Sequence, residues 1–303
     1  MPIPGVKTAL TAIILIALAA AFAGADAATL WSLRAPRVAA GFTVGALLAL
    51  SGLALQIILR NPLADPYVLG TSAGASVGAI VAILIGAAIG LGATVGALLA
   101  GALLLWLARG SLSSHQDDAS ARLILTGAMF SAMLGALATL LLTLTPDGQL
   151  RGAIFWLVGD LSGAQASWQG VSIAIIFIAA YAGFAPAIDR LMLGSEAAHL
   201  LGEPVRLLRA GLLVGACVAT AAAVSIAGSI GFVGLVVPQA LRMAGVRHTR
   251  RLSVMSALAG GALVVLADAL ARNAAYPLEL PVGAVMSLVG APVFVWLLAR
   301  GAR

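Results

Sequence analysis

The chain has 303 residues, of which 62% are hydrophobic and only 9% charged, with 35 glycines and a mean hydropathy of +1.10. A soluble globule presents about a quarter of its residues as charge, so this composition excludes that class and points to a polytopic membrane protein. The net charge of +6 and pI near 10.7 do not indicate a nucleic-acid partner, because the basic residues fall singly in short connecting segments and not along one face.

Apolar stretches of roughly 17 to 25 residues, enough helix to cross about 30 Å of hydrocarbon, recur at 8–25, 36–59, 69–86, 90–108, 121–144, 168–188, 209–229, 230–245, 253–272 and 281–299. No soluble domain fits between them, so residues 1–303 read as one all-α transmembrane domain of about ten helices. The first stretch follows Lys7 and runs to Ala25-Asp26-Ala27; it reads as a span, with a cleaved signal peptide as the alternative. The eighth, "GFVGLVVPQALRMAGV", is short and contains Pro238. Charge placement decides whether it crosses. If it does, and the N-terminus is cytoplasmic, 13 of the 17 Lys and Arg residues lie inside; if it does not, only 8 do. The positive-inside rule therefore favours ten spans with both termini in the cytoplasm. Trp31, Trp106, Trp156, Trp168 and Trp296 fall near span ends, where an indole N–H reaches the headgroups.

The second and third stretches are separated by "RNPLADPYVLG", residues 60–70, in which Pro62 and Pro66 stop the helix and push Asn61 and Asp65 toward extended geometry. This stiff corner reads either as an ordinary capping turn or as irregular backbone beside a pathway. Gly70, Gly74 and Gly78, Gly41 and Gly45, and Gly92 and Gly96 recur every four residues, spacing that lets helices approach closely in lipid. The only lysine is Lys7, so no Gly-Lys-Ser/Thr phosphate loop exists and the chain is not itself a P-loop ATPase. Asp268 is the one clear intramembrane carboxylate, and Arg272 four residues on shares its helical face, which reads as a neutralised pair. His115, His199 and His248 lie in loops, Cys217 is single, and no His-Glu-x-x-His or Cys-x-x-Cys pattern occurs. What remains is an apolar conduit driven by a partner, with an ion-gradient-driven secondary transporter as the alternative.

Four stretches carry a resemblance: "RAPR" at 34–37, "ALSGLALQ" at 49–56, "GSIGFVGLVVPQALR" at 228–242 and "ADALARNAAYPLELPVGAVMSLVGAPVFVWLL" at 267–298. With "NPLADP" they resemble the FecCD family, permease subunits of type II ABC importers for ferric siderophores, haem and cobalamin. The resemblance implies the type II permease fold in the bacterial cytoplasmic (inner) membrane, with no catalytic, cofactor-binding or metal-binding residues in this chain. Its implied partners are a second copy of the chain, two ABC ATPase subunits that hold ATP and Mg, an extracytoplasmic substrate-binding protein and membrane lipid, with no nucleic acid. By position, Arg34, Arg37 and Arg272 would dock the binding protein; Asn61, Leu63 and Ser120, the last in the turn before the fifth span, would form cytoplasmic gates. The polar loop "LMLGSEAAHLLGEPVRLLRAG", through Gly194, Glu196, Leu201, Gly202, Glu203 and Arg206, would couple to the ATPase. The chain departs from the family in having Pro238-Gln239 where Pro-His is common. An ABC metal-ion permease is the neighbouring alternative, disfavoured by the lack of intramembrane His. Cargo stays open among haem, siderophore and cobalamin, because Met129, Met133 and Met286 read as packing and not as haem ligands.

Overall fold

The computed structural model describes residues 4–22, 30–113, 118–164, 168–275 and 278–301. They form thirteen α-helices: α1 Pro4–Phe22, α2 Ala35–Ile58, α3 Thr71–Leu84, α4 Ile89–Ser113, α5 Asp118–Leu142, α6 Asp147–Val158 and α7 Trp168–Gly183, followed by α8 Ala185–Leu191, α9 Ser195–Leu200, α10 Val205–Ala227, α11 Val233–Met243, α12 Thr249–Asn273 and α13 Val282–Gly301. No strand occurs among the described residues. Each of the ten predicted spans coincides with one of these helices, α7 and α8 together making the sixth. Inner and outer below follow the sides assigned by the charge bias.

α2 is the axis of the fold. Its first turn contains Pro36, whose missing N–H is harmless there, and its apolar run ends just before Asn61-Pro62. Nearly every residue from Val38 to Ile58 is buried, because α7, α10, α11 and α12 all pack around it. Burial on every side explains a helix that is apolar all round. Its few polar groups are satisfied: the Ser51 hydroxyl donates to the Ala216 carbonyl (2.9 Å) and lies 2.7 Å from the Thr220 hydroxyl, and Gln56 Nε2 donates to the Gly234 and Leu235 carbonyls at 3.2 Å. α1 lies outside, against α12.

The glycine spacing shows in the packing. A Cβ at Gly78 would lie 2.0 Å from the Gly92 carbonyl oxygen, and one at Gly96 2.2 Å from that of Gly74, so α3 and α4 are pressed backbone to backbone. Gly45 meets Gly260 in the same way, joining α2 to α12.

Not every span is a full-length helix. α3 has 14 residues and α11 only 11, about 21 and 16 Å at 1.5 Å per residue, against roughly 30 Å of hydrocarbon. Both are preceded by segments outside the α-helices: residues 60–70, which include a short 3-10 turn at Pro66–Leu69, and residues 228–232. α7 and α8 form a span bent by 71° at Phe184, where Pro186 in the first turn of α8 restarts the helix in a new direction. α6 was not foreseen. It lies between the fifth and sixth spans as a 12-residue helix, begun after Pro146 with Asp147 in its first turn, and is too short to cross.

Candidate functional site

Three clusters bring the singled-out residues together, one where the segment after α2 meets the segment before α11 and one at each end of the bundle. In the first, the two irregular segments meet. Asn61 Oδ1 accepts the Leu63 N–H (2.9 Å) and Asp65 Oδ1 accepts the Tyr67 N–H (2.8 Å), so each Pro-preceding residue closes its own small turn. Leu63 is left exposed. Tyr67 then reaches the other segment: its hydroxyl donates to the Ile230 carbonyl (2.9 Å) and accepts the Ile230 N–H (2.7 Å). The Ser72 and Ser229 hydroxyls are 2.7 Å apart in the same joint. Phe232 holds φ +68°, a left-handed geometry unusual for an aromatic residue, as the chain turns into α11. Non-helical backbone inside a membrane protein needs partners from protein, and here each irregular segment is the other's partner.

Burial pushes the Asp65 carboxyl up from 3.8 to about 6, opposed by the Tyr67 N–H, which favours the charged form. The folded state thus holds this proton more tightly than the unfolded chain. Its stabilising contribution is complete below about pH 4 and is lost as pH rises through about 6. Asp65→Asn keeps the oxygen that accepts the Tyr67 N–H and removes the titration. The decline in melting temperature between about pH 4 and pH 7 should therefore be smaller in the variant than in the parent; superimposable profiles would assign the decline to other groups.

At the outer end, Arg37 on α2 holds Asp268 on α12 in a fork, Nη2 to Oδ1 at 2.8 Å and Nε to Oδ1 at 3.0 Å, while Nη1 donates to Glu279 Oε2 at 2.9 Å. Arg272 Nε lies 3.2 Å from Asp268 Oδ2. The side chains of Arg37, Arg272 and Asp268 are 12%, 13% and 5% exposed, whereas Glu279 is half exposed. Arg34 Nη1 and Arg272 Nη2 both donate to the Ala21 carbonyl at 3.3 Å, near the end of α1. Elsewhere on the outer side, a cavity of roughly 930 Å³ opens between the α3–α4 turn and α6, lined by Arg151, Trp156, Asp160 and Ser162 among others.

At the inner end, α8, α9 and the turn into α10 form a small platform. Gly194 (φ +132°) and Gly202 (φ +82°) bound α9, taking backbone shapes that L side chains avoid. Ala198 is buried beneath, while Glu196, Leu200, Leu201 and Arg206 face outward. Leu200 and Leu207 are 82% and 72% exposed, and with Leu193 and Leu201 they make an apolar patch on a charge-laced surface. Arg190 Nε donates to Glu203 Oε1 at 2.6 Å, tying α8 to the segment before α10.

A family model for the FecCD transport family matches residues 5–300. The chain belongs to that family. It is 40% identical to a cobalamin import system permease (BtuC) of Halobacterium salinarum over 88% of this chain and 72% of that one. It is 37% identical to a hemin transport system permease (HmuU) of Yersinia pestis over 89% and 82%. A structure described as an inward-facing conformation of a metal-chelate type ABC transporter superposes with a TM-score of 0.86 at 26% identity, covering 98% of this chain and all of that one. The PsaBC structure from Streptococcus pneumoniae, at 17% identity and TM-score 0.61 over 89% of this chain and 92% of that one, shares the fold.

Within this FecCD permease, the foreseen residues fall into separate places. Arg34, Arg37 and Arg272 gather at one end, Gly194 through Arg206 at the other, and Asn61 and Leu63 sit in the loop after α2. Ser120 lies within the first turn of α5, not in the turn before it, and its side chain is outside the described residues. The foreseen Asp268–Arg272 pair exists, but the better-formed partner of Asp268 is Arg37, 231 residues away. Glu203 is engaged by Arg190. Sequence reasoning missed Tyr67 and Ile230. The signal available was a tyrosine in a Pro-bounded turn, whose hydroxyl must find a partner when buried.

Proposed function

We propose that this chain is the permease subunit of an ATP-driven importer that carries a bulky chelate (cobalamin, haem or a ferric siderophore) from the outer side of the bacterial inner membrane to the cytoplasm. The observation that carries this reading is the identity of 40% and 37% with permeases named for cobalamin and hemin import, spanning most of each chain. The chemistry of the fold supports it. Among the described residues, the buried carboxylate within the long span α12, Asp268, is held by Arg37 and flanked by Arg272, so it is poorly suited to carry protons. The energy would come from two ABC ATPase subunits that bind ATP and Mg, docked on the platform through Gly194, Glu196, Leu201, Gly202, Glu203 and Arg206; the permease itself needs no cofactor. Two copies would enclose the pathway. The face of α5 that exposes Leu125, Met129, Met133 and Leu137 is suited to a second copy. A substrate-binding protein would dock on the outer end near Arg34, Arg37 and Arg272, and both termini would be cytoplasmic. Alternating access would then open the outer mouth and the Asn61, Leu63 and Ser120 gates in turn.

The test is uptake of labelled haem, ferric siderophore and cobalamin in parallel, in sealed vesicles holding the permease, its ATPase and its binding protein. One of the three should accumulate, and only with ATP. Accumulation without the ATPase subunit would replace this reading with an ion-driven transporter.

A further inference from the structure

α12 begins with an exchange between helices. The first N–H groups of a helix have no partner within it, and the residue preceding α12, His248, makes no side-chain capping bond. Thr249, buried as the first residue of α12, sends both its N–H (3.1 Å) and its hydroxyl to Oδ1 of Asp189. Asp189 belongs to α8. There a carboxylate stands near the C-terminus of its own helix, where the dipole disfavours it, and its position makes sense only as a cap supplied to α12 from outside. The next residue, Arg190, turns the other way and binds Glu203. This dipeptide therefore fastens α12 on one side and the platform on the other. From Thr249 to Asp268, α12 is continuous helix, about 28 Å at 1.5 Å per residue, and at Asp268 it is gripped by Arg37.

We infer that Asp189 is a positioning residue through which movement of the inner platform is delivered to α12, so that the ATPase-facing patch and the outer arginine cluster shift as two ends of one rod. The inference rests on the ATP-driven reading above. Removing the cap should separate hydrolysis from transport without dismantling either partner, because Asp189 touches neither the exposed patch nor the pathway joint.

The measurement is cargo accumulated per ATP hydrolysed in vesicles holding the complete importer. Asp189→Ala should leave complex assembly and cargo-independent hydrolysis close to the parent's, while lowering cargo moved per ATP at least about five-fold, the lower end of usual coupling between sites. Asp189→Asn, which retains the accepting oxygen, should recover most of the loss. A simple packing role would instead lower assembly, hydrolysis and uptake together. Should Asp189→Ala fail to assemble, Thr249→Val removes only the hydroxyl donor and is read the same way. Unchanged cargo per ATP in the assembled variant overturns the inference. Cargo accumulating in the parent without ATPase overturns the ATP-driven reading, so the two failures are distinct.

Discussion

Asp268→Ala should destabilise the folded permease by about 3–5 kcal/mol, the usual effect of removing one partner from a buried ion pair. Arg37 and Arg272 would then face each other, both largely shielded from water, with Glu279 alone to neutralise them from the exposed side. Taking the fork away also frees α2 from α12 at their outer ends. Replacing both partners with apolar residues, Arg37→Met with Asp268→Leu, should restore part of the loss, because no buried charge is left without its counter-ion at that pair. Thermal unfolding in detergent measures both variants. Equal stability of Asp268→Ala and the parent would show that the arginines reach water or lipid headgroups without help.

Gly52→Ala should likewise disrupt the fold, although alanine is the better helix former. A Cβ at Gly52 would lie 2.1 Å from the carbonyl oxygen of Gly234 and 2.4 Å from its Cα, so α2 and α11 must separate. Separation breaks the bonds from Gln56 to the Gly234 and Leu235 carbonyls and loosens Pro66, which packs on Gly234. Overpacking usually costs about 1–3 kcal/mol, and rigid backbone on both sides argues for the upper end. Gly211→Ala on α10 is the matched control, since a Cβ there meets nothing within 4 Å; it should gain up to about 1 kcal/mol from helix propensity. Opposite signs at two helical glycines are the expected outcome, and a stabilising Gly52→Ala would refute the close approach.

Much of the site was legible only in part. The Pro62 and Pro66 corner announced a break in helix, because proline acts on its immediate neighbours, and the two turns closed by Asn61 and Asp65 are local bonds of the same kind. The partner of that corner was hidden: Tyr67 bonds Ile230 across 163 residues, and an apolar sequence holds no mark of which distant backbone will lie beside it. The same limit applies to Asp268. The i, i+4 partner Arg272 could be read from helical spacing, whereas Arg37 could not. α6 escaped because a 12-residue helix between spans carries no length signal of its own.

By itself the sequence determined the ten helical segments, the glycine faces along which α3 and α4 close, the interruption after α2 and the family, since each depends on residue order within one segment or on motifs that persist in order. Only the tertiary structure decided which helix is central, that α3 is short, and how Arg37, Tyr67 and Asp189 bond to chain far away. The reason is physical: in lipid nearly every apolar face is acceptable, so helices choose neighbours by backbone fit and by the few polar groups that must be satisfied, and both are properties of the packed bundle.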